Sequence, residues 1–170
     1  MDMSNPLIGS LIETSCESCR AIGVDRKGCQ ELYETVLTRE YSDPHYFEVH
    51  RLTVDSYCLQ HPERYMVSGK SFATHLIRMH IALDRDNDPH LNTILLRWLA
   101  IGPLIQKPLS TPVERGTLTI SHVRLAVDAD DHRTRVLDWA VSAWSAWIAY
   151  HDLARDLLER ARSQLSSAGT

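Results

Sequence analysis

Proline placement constrains this chain more firmly than any other feature. Asp43-Pro44 and Asp88-Pro89 each set a side-chain acceptor directly before a residue whose φ is already helical. Aspartate then serves as N-cap and proline as the first helical residue, so each pair marks a helix start. Pro62 disfavours helical geometry at His61, which ends the helix that Pro44 opens. Gly102-Pro103 closes the helix that Pro89 opens, near Ile101. Apolar residues recur at helical spacing between these marks. Leu32, Val36 and Leu37 lie on a helix from near Cys29 to Tyr41, and Phe72, Leu76, Met79 and Leu83 on one that follows Ser68-Gly69. Pro103, Pro108 and Pro112 then precede a Thr/Val/Leu/Ile-rich run from Thr117 to Val127, which reads as an extended crossing segment with one short strand or helical turn. The last helix is the longest, with Val136, Ala140, Trp144, Trp147, His151, Ala154 and Leu158 on one stripe. The expected fold is mainly α: a single helical-bundle-like domain spanning 1–170. Its parts are a small, loop-rich, metal-stapled N-terminal lobe (1–28), helices over 29–101, an irregular crossing segment (102–128) and a long C-terminal helix (131–163).

Composition narrows the function classes. A chain that is 44% apolar and 24% charged is an ordinary globular one, and its formal charge of -4 leaves no basic surplus to neutralise phosphates. Nucleic acid is therefore not an expected partner, which leaves a protein or a small molecule. Met1 to Ile12 has no basic region ahead of an apolar run, and no stretch of about 18 apolar residues occurs, so neither a signal peptide nor a membrane span is expected. A cytoplasmic location follows, where four cysteines serve as ligands or core residues rather than disulfides.

Cys16-Glu-Ser-Cys19 spaces two thiolates so that both can face one tetrahedral ion. Cys29 follows a loop containing Gly23 and Gly28, whose freedom at positive φ suits a chain wrapped around a metal. A fourth ligand comes from Cys58 or His61, three residues apart on one helix. The expected cofactor is zinc, with iron as the alternative, held by Cys16, Cys19, Cys29 and His61; Cys58, His50 and His75 are the reserve ligands. A thioredoxin-like redox pair would need a βαβ setting that the polar surroundings do not supply.

Nine histidines invite a second reading. His50, Val54, Tyr57 and His61 share one helix face, His75 lies at the edge of the next apolar face, and His151 sits inside the last stripe. Histidines pointing inward from three helices could hold an open metal site for hydrolysis, with Asp55, His75 and His151 as catalytic candidates and Asp55 able to orient an imidazole. His45, His80, His90 and His132 read as exposed or capping, His122 lies in the irregular segment, and Trp139, Trp144 and Trp147 read as core.

The run from His50 to Pro62, His-Arg-Leu-Thr-Val-Asp-Ser-Tyr-Cys-Leu-Gln-His-Pro, is followed by Gly-Lys-Ser-Phe-Ala-Thr-His-Leu from Gly69 to Leu76. Together with Cys16, Cys19, Cys29 and the Trp-rich helix near His151, it resembles an uncharacterised bacterial family, domain of unknown function 5946, over residues 16–160. The resemblance implies that Cys16, Cys19, Cys29, Asp55, Gln60, His61 and His75 belong to the family's pattern. It also implies that the position of Cys58 is usually a small residue, which favours His61 as fourth ligand. No activity comes with it. The expected function is a zinc-binding helical protein acting as a binding or adaptor module; the alternative is a metal-dependent, hydrolase-like enzyme using the His/Asp site.

Overall fold

The computed structural model describes residues 14–167. Among these residues there is no strand, only an isolated antiparallel bridge between Ser15 and Ile22. Helix α1 runs Arg26–Ser42, α2 Pro44–Phe47, α3 His50–Gln60, α4 Pro62–Tyr65, α5 Gly69–Asp84 and α6 Pro89–Ala100. After the crossing segment come α7 (Ile120–Arg124), α8 (Ala129–Ala146), a 3-10 turn at Ile148–Tyr150 and α9 (His151–Ser167).

The expected starts and stops are largely found. Asp43 and Asp88 each accept a hydrogen bond from the backbone N–H two residues on, with proline at the first helical position. Ser68 opens α5 with a reciprocal capping box, its hydroxyl accepting from Ser71 N–H while the Ser71 hydroxyl accepts from Ser68 N–H. The crossing segment is irregular except for α7, its single helical turn.

Three boundaries differ from expectation. Helix α1 begins a turn before Cys29, because Asp25 caps it by accepting from Gly28 N–H at 2.8 Å. The helix opened by Pro44 is interrupted at Glu48–Val49, with no proline or glycine to announce the break. The interruption re-aims α3 so that His50 and Thr53 both reach the buried carboxylate of Glu40 on α1. The long C-terminal helix is likewise two, broken at Trp147. There the Trp144 carbonyl accepts from Trp147 N–H at 2.9 Å and from the His151 ring Nε2–H at 3.0 Å, while Tyr150 is drawn aside to donate to the Ser110 carbonyl. Side chains compete for the backbone ladder at that point, and the ladder yields.

Helix α3 is the axis of the packing, lying against α5 and α8, while α9 closes over α5 and α6. Trp139, Trp147 and Trp98 are fully buried and Trp144 nearly so, as core placement requires. One core cluster joins Cys16, Cys19, Ala21 and Cys29 to Tyr33, Tyr57, Ile120, Val123, Val136 and Trp139, so the cysteines stand at one end of the hydrophobic interior rather than on a surface loop. Residues 1–13 of the expected lobe, including Gly9 and Ser10, lie outside the described residues.

Candidate metal centre

Local chemistry builds this site from three directions. The knuckle is closed by backbone bonds from Cys16 N–H to the Ala21 carbonyl (3.0 Å), Arg20 N–H to the Cys16 carbonyl (2.8 Å) and Gly23 N–H to the Thr14 carbonyl (2.8 Å). Arg20 carries φ of 62°, a left-handed position costly for a side chain, and its guanidinium is forked on Glu114 at 3.1 Å to both oxygens. Cys29 rises from the first turn of α1. His61 sits between α3 and α4 at φ -129°, ψ 51°, outside helical geometry as the following proline demands. Its Nδ1–H donates to the Tyr57 carbonyl at 2.8 Å, which turns Nε2 toward the cysteines. Tyr57 presses on the imidazole face (centroids 4.0 Å apart), stacks on Tyr33 at 3.8 Å and turns its hydroxyl to Cys29 Sγ at 3.7 Å.

The ligand atoms of Cys16, Cys19, Cys29 and His61 all lie within 4.8 Å of one another. Cys19 Sγ is 3.6 Å from Cys29 Sγ, and His61 Nε2 is 3.7 Å from Cys16 Sγ and 3.6 Å from Cys29 Sγ. A tetrahedral ion with bonds of about 2.3 Å to sulfur and about 2.05 Å to nitrogen sets its sulfurs about 3.8 Å apart and each sulfur about 3.6 Å from the nitrogen. The cluster is therefore compatible with metal binding as it stands. All four side chains are buried, the most accessible being His61 at 4%.

The electrostatics are those of ligands crowded together. The Cys29 thiol is drawn down to about 4, first by its hydrogen bond with Cys19 and then by His61, against the opposing effect of burial. Cys19 is pushed far above the thiol range by the same contact with Cys29 and by its own burial. Burial works against a Cys16 thiolate, yet the contact with His61 and the backbone N–H groups of Cys19 and Ser18 bring it below the usual value. Burial also opposes charge on His61, but Cys16 and Cys29 lift its imidazole to about 9.

The other candidates go elsewhere. Cys58 is buried outside this group, and burial raises its thiol well above the usual range. His50 Nδ1 pairs with Glu40 at 2.8 Å, His75 Nδ1 with Asp55 at 2.7 Å, and His151 lies against Trp144 with centroids 3.9 Å apart. Among the described residues no other set of three or more His, Cys, Asp or Glu side chains converges as the Cys/His group does, so His50, His75 and His151 are not brought to one point. Two histidines read as exposed or capping are buried instead. His80 bonds Asp84 at 2.9 Å, and the wholly enclosed His132 bonds Glu40 at 2.9 Å.

Two residues that reading residues alone passed over prove central. Glu40, fully buried, accepts from Thr53, His50 and His132. Gln60, the neighbour of His61, is also fully buried; its amide donates to the carbonyls of Arg115 and Leu118 at 2.7 Å each and accepts from Trp139 Nε1–H at 2.9 Å. For Gln60 a signal existed, its place in the Gln-His-Pro element; for Glu40 none did.

Comparison with known proteins adds a family and no more. Residues 14–148 match the model of a family of unknown function, DUF5946. No curated protein and no solved structure matches the chain.

Proposed function

The chain belongs to DUF5946, a family of unknown function, and from that premise we propose that it is a zinc-stapled helical binding module of the cytoplasm. Cys16, Cys19, Cys29 and His61 would hold one zinc ion. The single observation carrying this reading is the agreement between the sulfur–sulfur and sulfur–nitrogen separations, 3.6 to 3.7 Å, and those of a tetrahedral site. Three thiolates and a neutral imidazole fill four positions, the closed arrangement of structural zinc, and all four ligands are buried. An imidazole in the set favours zinc over iron–sulfur clusters, which mostly take four thiolates. The ion would join the knuckle to α1 and to the α3–α4 junction. Residues 14–25 bring few apolar side chains of their own, chiefly Ala21 and Val24, so the ion supplies cohesion that burial there does not.

Elemental analysis of the untagged, full-length chain tests the reading, with thiols titrated before and after chelation. The expected result is one zinc per chain, lost on chelation together with a fall in Tm and the exposure of reactive thiols. His61→Ala and Cys29→Ser should each lower metal content. Purification without metal, or undiminished zinc in both variants, would overturn it.

A further inference from the structure

Beside the N-terminal half of α3, away from His61, the wall of the bundle opens into a cleft of about 590 Å³. That volume lies within the range of small-molecule sites. Phe47, Leu52 and Leu137 give it apolar walls, and three arginines reach it: Arg51 from α3, Arg78 from α5 and Arg133 from α8. Two carboxylates, Glu48 and Asp55, also line it. Arg133 bonds Glu48 at 2.7 Å within the cleft and Asp130, outside its lining, at 3.3 Å. Asp55 gives one oxygen to His75 Nδ1–H at 2.7 Å, and the same oxygen is 3.9 Å from Arg78 Nη1, beyond hydrogen-bond reach. Arg78 is only 23% exposed, yet its guanidinium makes no hydrogen bond. Arg51 makes none either and is exposed at the rim.

Charge bookkeeping sets the ligand. Among the residues that line the cleft, three guanidiniums face two carboxylates, an excess of a single positive charge. A part-buried guanidinium with all its donors free is poised for a planar, two-oxygen partner, because its fork matches a carboxylate. We propose that this cleft binds a small organic monoanion, a carboxylate on an apolar body, with Arg78 gripping the headgroup, Arg51 steering it and the Phe47–Leu52–Leu137 wall taking the body. The site shares no residue with the metal centre and goes beyond the stapled-module reading, supplying it with a small-molecule partner class.

The test is a titration of the full-length, zinc-replete protein with benzoate, hexanoate, neutral benzamide and phenyl phosphate, followed by the 15N–1H signals of the arginine side chains. Saturable shifts of the Arg78 signal are expected with benzoate or hexanoate, with at least about tenfold weaker binding of benzamide. Arg78→Met should weaken carboxylate binding by about tenfold or more, and the rim variant Arg51→Met, which removes no hydrogen bond, should slow association and flatten the salt dependence. The proposal is overturned if neither carboxylate moves the Arg78 signal at about 10 mM, if benzamide binds equally well, or if Arg51→Met leaves both affinity and salt dependence unchanged. Tighter binding of phenyl phosphate than of benzoate overturns the monoanion assignment.

Discussion

Replacing Gln60 by leucine removes one amide and strands three groups. The side chain is fully buried, and both of its N–H bonds are engaged, at 2.7 Å to the Arg115 carbonyl and 2.7 Å to the Leu118 carbonyl. Its oxygen takes the indole N–H of Trp139, itself fully buried, at 2.9 Å. Leucine fills nearly the same volume, so cavity formation contributes little and the loss is polar. The indole N–H has nowhere to go, which costs about 2 kcal/mol; each carbonyl, nearer the surface and able to recruit water, costs about 0.5 to 1 kcal/mol. The expected total is about 3 to 4 kcal/mol, a large part of the stability of a domain this size, and it corresponds to a Tm lower by about 10 °C. Urea unfolding followed by tryptophan fluorescence measures it, with the slope m unchanged if only the folded state is affected. Gln60→Glu sharpens the test. It keeps an acceptor for Trp139 but turns two donors into an anion facing two carbonyls, so it should destabilise at least as much at pH 7 and partly recover at low pH. A loss below about 1 kcal/mol in the leucine variant, or native stability in the glutamate variant, would refute the account.

Other expectations follow from the same geometry. At pH 7 the imidazole of His61, lifted to about 9, and the raised Cys19 thiol must both release protons to become ligands. Apparent zinc affinity should therefore climb by about a hundredfold per pH unit up to pH 9, tenfold for each of the two protons, and by about tenfold per unit above it, where only Cys19 still has a proton to lose; competition against a chromophoric chelator reads this slope. Asp55 is held above the usual carboxyl range, first by burial, which outweighs His75 and Arg78. A raised acid binds its proton more tightly folded than unfolded, so the stability it contributes is present below the unfolded value near about 4 and falls as pH rises toward the folded one. Asp55→Asn, which keeps an acceptor for His75, should equal the native protein at pH 3 and match or exceed it at pH 7 in urea unfolding. Gly69→Ala reverses the usual helix preference. A Cβ there would stand 1.9 Å from the Ile105 carbonyl oxygen, so a loss of about 2 kcal/mol is expected by thermal unfolding.

Much of this molecule was legible because its signals are local. Asp43-Pro44, Ser68-Gly69 and Asp88-Pro89 specify helix starts through hydrogen bonds between residues two or three apart, and the structure uses all three. The grouping of Cys16, Cys19, Cys29 and His61 was also legible, since thiol spacing limits the fourth ligand to Cys58 or His61 and the family resemblance favours His61. The breaks at Glu48–Val49 and Trp147 were not. Each depends on a partner in another element, Glu40 for His50 and Ser110 for Tyr150, and nothing at the break itself declares it. The buried His132 escaped for the same reason: its partner Glu40 is 92 residues away.

The metal centre can also be viewed through the chain it would hold when unfolded. Cys16 and His61 are separated by 45 positions, so an ion shared between them ties off a loop comprising α1, α2 and α3. Treated as a polymer cross-link, closure of such a loop removes about 4 kcal/mol of denatured-state entropy, before any contact in the folded protein is considered. The knuckle pair adds almost nothing to this, because Cys16 and Cys19 are already neighbours. His61 is the ligand that makes the ring large, and the one whose loss would release the most chain.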